Sequence, residues 1–508
     1  MRRAGIFWVV AIMACALTQV WAQDDASVPS QEPPASSQQQ PSPAYGQEGQ
    51  TAPISQNPPI SGLDMLSLEP HAAPLSYLQP GATFSESVDT NIGNTLGGST
   101  FGGITRGLGS VVLKRLWSHY DLALDYVGGV GYYHVSGEGF KSLQSSDIVQ
   151  KILWKRGQLS LRNSFSYLPE GSFGGAYGSL GSAGISSIGS TPFGAFWGGT
   201  GLGTLGLTPR ILNVSIADVT QTLTPKSAIT VAGGYAFNHF YGNNTNGAPF
   251  IGSSQVSAQA GYNRILTSHT QIALVYGYQG FDFTALGSAF HSHVVEALVG
   301  HRISGRMDLL VGAGPQFTRI NTPCTILDVG SPGCNIDQSG QLVATPTTKI
   351  GVAAQARLRY RFTKTSMELT YQRYLTTGSG LFAGAQSDIV HLNAERPLSR
   401  VWSAFADIGY SHNSRLQGLS STEKSTCGGP SPQPPCPGVD ANYYNLGFFG
   451  GGVHRAFGRN LHGFVSYQFN ELAFDHSYCA ATLPCDRISN RQVVTFGLDW
   501  TPRPIRID

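Results

Sequence analysis

The stretch from Thr348 to Tyr374, TKIGVAAQARLRYRFTKTSMELTYQRY, decides how the rest of the chain is interpreted. Before the dipeptide Thr363–Lys364, apolar side chains occupy every second position: Ile350, Val352, Ala354, Ala356, Leu358, Tyr360 and Phe362. The positions between them carry small, polar and basic residues: Lys349, Gly351, Ala353, Gln355, Arg357, Arg359 and Arg361. After the dipeptide, the same alternation sets Met367, Leu369 and Tyr371 against Glu368, Thr370 and Gln372. A period of two predicts a β-hairpin with one apolar and one polar face, and its arms exceed the ~5–6 residues usual for soluble strands.

Composition narrows the class of protein that could contain this hairpin. The chain has 508 residues, of which 12% are charged, and 63 are glycine. Roughly 25% charged residues is usual for a soluble domain. The net charge of +2 gives no reason to expect a nucleic-acid partner. Beyond the first residues, no segment offers the ~18 consecutive apolar residues of a membrane helix. If the chain enters a membrane, it must do so through strands.

The first 80 residues predict export and linker segments. Residues 1–22 predict a signal peptide, with Arg2 and Arg3 before an apolar run and Ala22 at the cleavage point. Cys15 leaves a lipoprotein signal as the alternative, although Met13 fits that pattern poorly. Residues 23–80 are rich in Pro, Gln and Ser and predict a disordered periplasmic linker. This linker is too short and too low in complexity to be the globular plug of a TonB-dependent receptor.

From residue 81 onward, strand-like runs alternate with two kinds of connection. The short ones are Trp117–His119, Lys155–Gly157, Thr224–Lys226, Thr267–His269, Ser304–Arg306, Thr363–Lys364, Leu398–Arg400 and Gly458–Asn460. The long ones lie near residues 91–106, 135–144, 169–207, 241–251, 283–289, 321–344, 377–386, 414–440 and 476–489. Short periplasmic turns on one rim and long external loops on the other are the layout of outer-membrane barrels. We therefore predict an all-β, antiparallel transmembrane β-barrel over residues 81–500, followed by a tail at 501–508. It should have about 18 strands, or 16 if the weak run Ala82–Thr90 is not a strand.

The last predicted strand resembles the closing strand of Gram-negative outer-membrane β-barrels. Its residues Phe496, Leu498 and Trp500 occupy the hydrophobic places of the signal that the barrel-assembly machinery reads in that class. The resemblance implies outer-membrane lipid as the surroundings and this machinery as a partner, and it points to no particular member. In the class the signal ends the chain, whereas here residues 501–508 follow it.

Six cysteines of the exported chain fall into three close pairs. They are Cys324 with Cys334, Cys427 with Cys436, and Cys479 with Cys485, all in predicted external loops and none in a predicted strand. Short disulfides are expected in an exported protein. Metal binding is the weaker alternative, because no C-x-x-C spacing is present and no His adjoins the pairs.

Charged residues on the polar faces are the candidates for a selective lumen. We predict a basic row on the lumen face, formed by Arg357, Arg359 and Arg361. A two-residue turn places Arg359 opposite Glu368. This row is interpreted either as a structural salt-bridge ladder or as a selectivity row that attracts anions. Further lumen candidates are Asp125, Arg162, Glu296, Glu395 and Asp407. Their mixed signs do not imply strong selectivity.

Two other features of the sequence are candidates for functional parts. The segment Gly171–Pro209 has no charged residue and would be the third external loop. In general porins, which this layout resembles, the third loop folds into the pore and narrows it. The sequence leaves three interpretations of this loop open: an inward constriction, a surface patch or a disordered flap. His291, His293, His412 and the pair Asp475–His476 lie near the external rim and could form a rim cluster. No G-x-S-x-G or H-E-x-x-H motif occurs, so we predict no catalytic residue, cofactor or metal.

The leading hypothesis is a passive channel for small hydrophilic solutes, because barrels of 16–18 strands leave an aqueous lumen. The predicted inward positions are Gly, Ser, Gln, Asn and charged residues. The alternatives are a surface structural or adhesive protein, a rim-active enzyme, and a secreted soluble all-β protein. Neither the solute nor the oligomeric state follows from the sequence.

Overall fold

Alternating side chains organise the chain into long antiparallel strands. The computed structural model describes residues 76–92, 96–135, 137–168, 209–241, 251–283, 287–321, 334–337, 341–362, 364–378, 382–416, 441–476 and 486–507. The strands in these ranges are β1 (Tyr77–Asp89), β2 (Gly102–Leu116), β3 (Tyr120–Tyr133), β4 (Gly139–Trp154), β5 (Gly157–Leu168), β6 (Arg210–Thr224), β7 (Ser227–Phe240), β8 (Ser253–Ile265), β9 (Thr270–Phe283), β10 (Ser288–Ser304), β11 (Met307–Asn321), β12 (Cys334–Ile336), β13 (Leu342–Ala344), β14 (Thr347–Arg361), β15 (Ser366–Thr376), β16 (Ala385–Pro397), β17 (Trp402–Arg415), β18 (Tyr443–Ala456), β19 (Leu461–Phe474), β20 (Ile488–Trp500) and β21 (Ile505–Arg506). No helix within the described ranges is long and apolar enough to span a membrane.

Eighteen of these strands, β1–β11 and β14–β20, form one closed antiparallel barrel. Each pairs with its neighbours in the chain, and β20 pairs back onto β1 from Ala82↔Trp500 to Asp89↔Val493. Closure leaves no exposed sheet edge. The predicted count of 18 strands is confirmed, and the weak run Ala82–Thr90 lies almost wholly within β1.

The ends of the barrel differ from the predicted boundaries. Strand β1 begins at Tyr77, inside the segment predicted as linker, and the predicted tail contains β21. The pairing of β1 with β20 starts only at Ala82, so the first residues of β1 lack a partner on that side. Strand β21 fills this place by pairing with Tyr77–Leu78, which satisfies backbone groups that would otherwise be unpaired. Residues 1–22 and most of the predicted linker lie outside the described residues.

Short and long connections segregate to opposite rims, as predicted. The chain passes from β2 to β3 through residues 117–119 and from β4 to β5 through residues 155–156. All eight predicted short turns connect consecutive barrel strands in this way. We call their side the short-turn rim and the other side the long-loop rim.

The two faces of the wall differ in the way that a transmembrane barrel requires. On β14, Ile350 and Val352 are 75% and 52% exposed on the outer face. The Arg359 side chain, on the other face, is only 17% exposed. Strand β8 alternates between buried Gln255, Ser257 and Gln259 and outward-facing residues such as exposed Val256. Apolar side chains outside and polar ones inside are the pattern of a lipid-embedded barrel, and the reverse of a water-soluble one.

The inner wall is more apolar than the sequence predicts. Strand β6 directs Leu212, Val214 and Ile216 inward, where they pack with Ala232 and Ala236 of β7. Similar inner clusters join Ala273, Val275, Leu298 and Leu310, and Leu108, Val127 and Leu143. The prediction that inward positions are only Gly, Ser, Gln, Asn or charged is therefore wrong in these sectors. Apolar side chains from adjacent strands can bury one another inside the wall as effectively as lipid buries them outside.

An ion pair links the two strands that close the barrel. Arg491 of β20 donates through Nε to Asp89 of β1 at 2.8 Å, and Asp89 is fully buried. We expect Arg491→Leu to lower the free energy of unfolding by about 3–5 kcal/mol, because it leaves a buried carboxylate uncompensated. The double variant Asp89→Leu/Arg491→Leu should recover most of that loss. Urea unfolding of all three variants in lipid vesicles measures both effects, and equal losses in the single and double variants would contradict the argument.

Candidate channel lumen

The basic row of β14 lies on the inner wall, and its central arginine belongs to a three-residue ion pair. Arg359 donates through Nη2 to Asp308 of β11 at 3.0 Å. The second carboxylate oxygen of Asp308 accepts from Arg302 Nε of β10 at 3.3 Å. One carboxylate thus holds two guanidinium groups from strands on either side of it. These three side chains alone sum to one positive charge.

The rest of the row follows the predicted register. Arg359 lies opposite Glu368 and Arg357 opposite Thr370 in the pairing of β14 with β15. Arg359 nevertheless forms its ion pair with Asp308 of β11, on its other side, and not with Glu368 of the hairpin. Arg361 lies opposite Ser366 at the short-turn end of the same face. Three arginines thus share one inner face close to the short-turn rim.

The lumen candidates Glu296, Asp407 and Asp125 also face inward, whereas the side chain of the candidate Glu395 lies outside the described part of the structure. Glu296 is buried and accepts a hydrogen bond from Gln355 Nε2 at 3.0 Å. Asp407 is buried and bonds to His391 of the neighbouring strand. Asp125 of β3 lies opposite Val112 on one side and Asp147 on the other. These residues lie in separate sectors of the barrel and do not form one site.

A further inner ion pair joins β5 and β6. Arg162 donates through Nη2 to Asp218 at 3.0 Å. Asp218 is 1% exposed, so this pair is part of the wall rather than of a solvated surface. With Arg491–Asp89 and the Asp308 cluster, it shows that several lumen-facing charges of the described strands are paired within the wall.

An apolar layer lies at the long-loop end of the lumen, and we call it the mouth layer. One part of it contains Phe281, Phe283, Phe290, Ile320, Leu375, Ala383 and Leu416. The other part contains Phe382, Ala385, Ala441, Tyr444, Leu446, Leu472 and Phe474. The two parts involve strands on different sides of the barrel, and consecutive residues Phe382 and Ala383 connect them. The mouth layer therefore extends across the opening rather than along one patch of wall.

The connection between β15 and β16 brings these residues inward. The Phe382 ring centroid lies 5.2 Å from that of Tyr444 on β18. Gly384, two residues later, faces Phe290 on β10, and a Cβ there would lie 2.2 Å from the phenyl ring. Strands β10 and β18 are six steps apart around the barrel (β10, β11, β14, β15, β16, β17, β18). A segment that reaches both walls within three residues narrows the opening.

Two glycines and a cation hold this segment in place. Gly378 and Gly384 have φ values of +75° and +83°, in the left-handed region that favours glycine. The guanidinium carbon of Arg415 lies 4.4 Å from the centre of the Phe382 ring, within cation–π range. Lys349, inward on β14, donates to the carbonyl of Leu416 beside the mouth layer.

The alternation pattern of the sequence does not predict the mouth layer. The constriction predicted for Gly171–Pro209 falls almost wholly outside the described residues and stays a prediction. The described narrowing comes instead from the shorter connection after Thr376. The sequence does hold one indication of the mouth layer: apolar rings at the inner positions near the long-loop ends of β9 and β10, namely Phe281, Phe283 and Phe290. Only the closed fold shows that these rings face the connection between β15 and β16.

The predicted rim histidines contact separate partners. His291 and His293 lie on the outer face of β10, where their Nδ1 atoms are 2.9 and 2.8 Å from the hydroxyls of Tyr278 and Tyr276. His412 is on β17 and bonds through Nδ1 to Asn445 Oδ1 at 2.7 Å. Such His–Tyr pairs on an outer wall resemble an interfacial aromatic belt more than an acid–base cluster. Among the described residues, no group of three or more His, Cys, Asp or Glu side chains could hold a metal ion.

One predicted disulfide residue falls within the described ranges. Cys334 is disulfide-bonded and begins β12, which pairs with β13 as a small hairpin inside the long connection between β11 and β14. The expectation that no cysteine lies in a strand is therefore wrong for Cys334, since this long connection folds on itself. Its pairing with Cys324 stays a prediction, as do the pairs Cys427–Cys436 and Cys479–Cys485, because those five cysteines lie outside the described residues.

The Asp308 cluster gives a direct test of selectivity. We expect Asp308→Asn to shift the reversal potential in a salt gradient towards anions, because two inner-wall guanidinium groups lose their shared counter-charge. Arg359→Gln should shift it the other way. Planar-bilayer recordings measure the shift, with Asp388→Asn on the outer wall as the control. Identical reversal potentials in all variants would show that the cluster is structural only.

Of three comparisons with known proteins, only that with solved structures found similar chains. No family model matches the sequence, and no curated protein matches it. Among solved structures, OccK2 (OpdF) of Pseudomonas aeruginosa aligns with a TM-score of 0.39 at 10% identity, covering 84% of this chain and 98% of that one. OccK5 (OpdH) of the same organism aligns with a TM-score of 0.37 at 11% identity, covering 85% and 100%. OccAB1 of Acinetobacter baumannii aligns with a TM-score of 0.38 at 8% identity, covering 84% and 96%. At these TM-scores and identities, the likeness carries no conclusion about this chain.

Proposed function

We propose that the chain is a passive outer-membrane channel for small hydrophilic solutes. The observation that supports this most is the closed barrel of 18 strands with its charges on the inner wall and apolar side chains outside. Barrels of this size enclose an aqueous lumen rather than a filled core. The basic row near the short-turn rim favours anions at that end, and the mouth layer limits entry at the other.

Export and assembly belong to the same proposal. A signal peptide at residues 1–22 would bring the chain to the periplasm, where the segment up to residue 76 precedes the barrel. The predicted assembly signal, Phe496, Leu498 and Trp500, lies on the outer face of β20, and each side chain is exposed. Strand β20 closes the barrel against β1, so a signal there would be available until closure. We also propose that the chain has no enzymatic activity.

Conductance of the purified full-length chain in planar bilayers tests the channel. We expect discrete current steps that persist without any added ligand. Because the mouth layer narrows the opening, Phe382→Ala should be recorded in parallel with the wild type. If neither protein conducts although both migrate as folded, heat-modifiable barrels, the channel proposal is wrong.

A second candidate function rests on the small hairpin of β12 and β13. Ile336, Leu342 and Val343 of this hairpin are 53%, 38% and 41% exposed, although they are apolar. A hairpin pinned by the Cys334 disulfide and exposing apolar side chains at the long-loop rim suits contact with an external surface. We would expect Val343→Asp/Ile336→Asp to abolish adhesion of cells that display the protein and to leave conductance unchanged. Adhesion that persists in this variant would remove this candidate.

A further inference from the structure

The outer wall of β4, β5 and β6 carries polar side chains at mid-strand, where most of the described outer wall is apolar. Alternation places the following residues outward, opposite in direction to buried Leu143, Ser164 and Val214: Ser142, Gln144, Ser146, Asn163, Asn213 and Ser215. The strand register brings them together, with Ser146 opposite Phe165, and Asn163 opposite Ser215. We call this set the polar wall.

The polar wall extends from the long-loop side down to the depth of the hydrocarbon. Exposed Tyr132 and Phe140 mark the long-loop end of β3 and β4, and exposed Trp154 marks the short-turn end of β4. Ser146 is near the middle of β4, and Asn163 and Ser215 are near the middle of β5 and β6. Elsewhere on the described outer wall, polar side chains such as Glu86, Asp388 and Asn445 lie towards the long-loop ends of their strands.

The hydrogen-bonding capacity of the polar wall is only partly used. Asn163 Nδ2 donates to Ser215 Oγ at 2.7 Å, and its contact with Asn213 Oδ1 is 3.4 Å. Within the described part of the chain, Asn213 Nδ2 and the side chains of Ser142, Gln144 and Ser146 have no hydrogen-bond partner. An amide or hydroxyl that faces hydrocarbon without a partner is unfavourable. Lipid chains supply no partner, so the polar wall is better satisfied by protein.

We propose that the polar wall is the interface of a two-fold symmetric dimer formed with a second copy of this chain. Uncharged amides and hydroxyls both donate and accept, so the set is complementary to itself, as an isologous contact requires. Serine and Ala217 on the same face allow two walls to approach closely, as small residues do between membrane segments. Five strands from β3 to β7, spaced ~4.8 Å apart across a band ~25 Å tall and tilted ~40°, present on the order of 800 Å² per copy. That is about the area each partner contributes to a standard interface.

The oligomeric state of the full-length chain in lipid nanodiscs tests this proposal. Mass photometry should show a dimer for the wild type. The triple variant Asn163→Leu/Asn213→Leu/Ser215→Val should raise the dissociation constant by about tenfold or more, since hydrogen bonds in membranes each contribute roughly a factor of three. The matched control Asn445→Leu replaces an outer-wall asparagine in another sector and should leave the dimer intact.

Oxidative cross-linking locates the contact independently of folding yield. Ser146→Cys should give a cross-linked dimer, and Ala258→Cys, on the outer face of β8, should not. The proposal is overturned if the wild type is a monomer, if the triple variant dimerises as the wild type does, or if Ser146→Cys cross-links only to a different protein. The conductance of the triple variant separates failure of the dimer proposal from failure of the channel proposal. Each barrel encloses its own lumen, so the triple variant should conduct whether or not it dimerises.

Discussion

Replacing Phe382 by alanine is expected to raise single-channel conductance severalfold. Phe382 is 1% exposed at the point where the segment after β15 crosses the opening, and its ring fills space between Tyr444 and Arg415. Apolar constrictions limit ion flow because water and ions leave them readily. Removing the ring would admit water into the mouth layer. Single-channel recordings at fixed salt measure the effect.

The control for this prediction is a phenylalanine of the opposite face. Phe317 of β11 lies outward near the long-loop end of its strand and is 43% exposed, so Phe317→Ala should leave conductance unchanged. A buried Phe→Ala change typically costs about 3–5 kcal/mol, so folding of both variants must be verified by heat-modifiable migration. Phe382→Leu keeps most of the apolar volume and should give an intermediate conductance. If Phe382→Ala folds and conducts as the wild type does, the mouth layer does not limit flow.

A substitution at Gly384 should open the mouth without removing any ring. A Cβ there would meet Phe290 at 2.2 Å, and the φ of +83° is strained for any other residue. Gly384→Val should therefore displace the segment from β10. Phe382→Ala and Gly384→Val act through different atoms. If both variants raise single-channel conductance, the segment between β15 and β16 is what narrows the opening.

The sequence predicts the barrel well where each strand has one clean face. The β14–β15 hairpin has uninterrupted alternation, and its predicted register, Arg359 opposite Glu368, is the observed one. A hairpin register depends on a short turn and on neighbouring residues, and both can be read locally. The same holds for the strand count, because short turns and long loops alternate strictly along the chain.

Two features could not be read locally. On β6, both alternating sets contain residues compatible with either side, and only closure shows that Leu212 and Val214 face inward and Asn213 faces outward. Arg359 takes its carboxylate from Asp308, on a strand that a long connection separates from β14. Pairs between strands joined by long connections have no signature in sequence spacing. The mouth layer depends on such non-local contacts throughout, which is why the sequence did not reveal it.

A single arginine placed on either side of β14 tests the orientation on which every other conclusion depends. Ala354 faces outward near the middle of the strand, and its neighbour Gln355 faces inward beside Glu296. We expect Ala354→Arg to lower the free energy of unfolding by about 2–4 kcal/mol, the cost of a basic side chain facing mid-bilayer lipid. Gln355→Arg should change it little, because the new guanidinium can pair with the Glu296 carboxylate that Gln355 now contacts at 3.0 Å.

The comparison within this pair is informative because the two residues are consecutive and the substituted side chain is the same. Chain position and net charge are therefore matched, and the two arginines differ in the side of the wall and in the charge beside them, Arg373 for position 354 and Glu296 for position 355. Urea unfolding in lipid vesicles measures both free energies. In a water-soluble barrel with a dry core the order would be reversed, since arginine at position 354 would be solvated and arginine at position 355 buried. A larger loss for Gln355→Arg than for Ala354→Arg would thus refute the lipid-facing assignment of Ile350, Val352 and Leu358, and the channel with it.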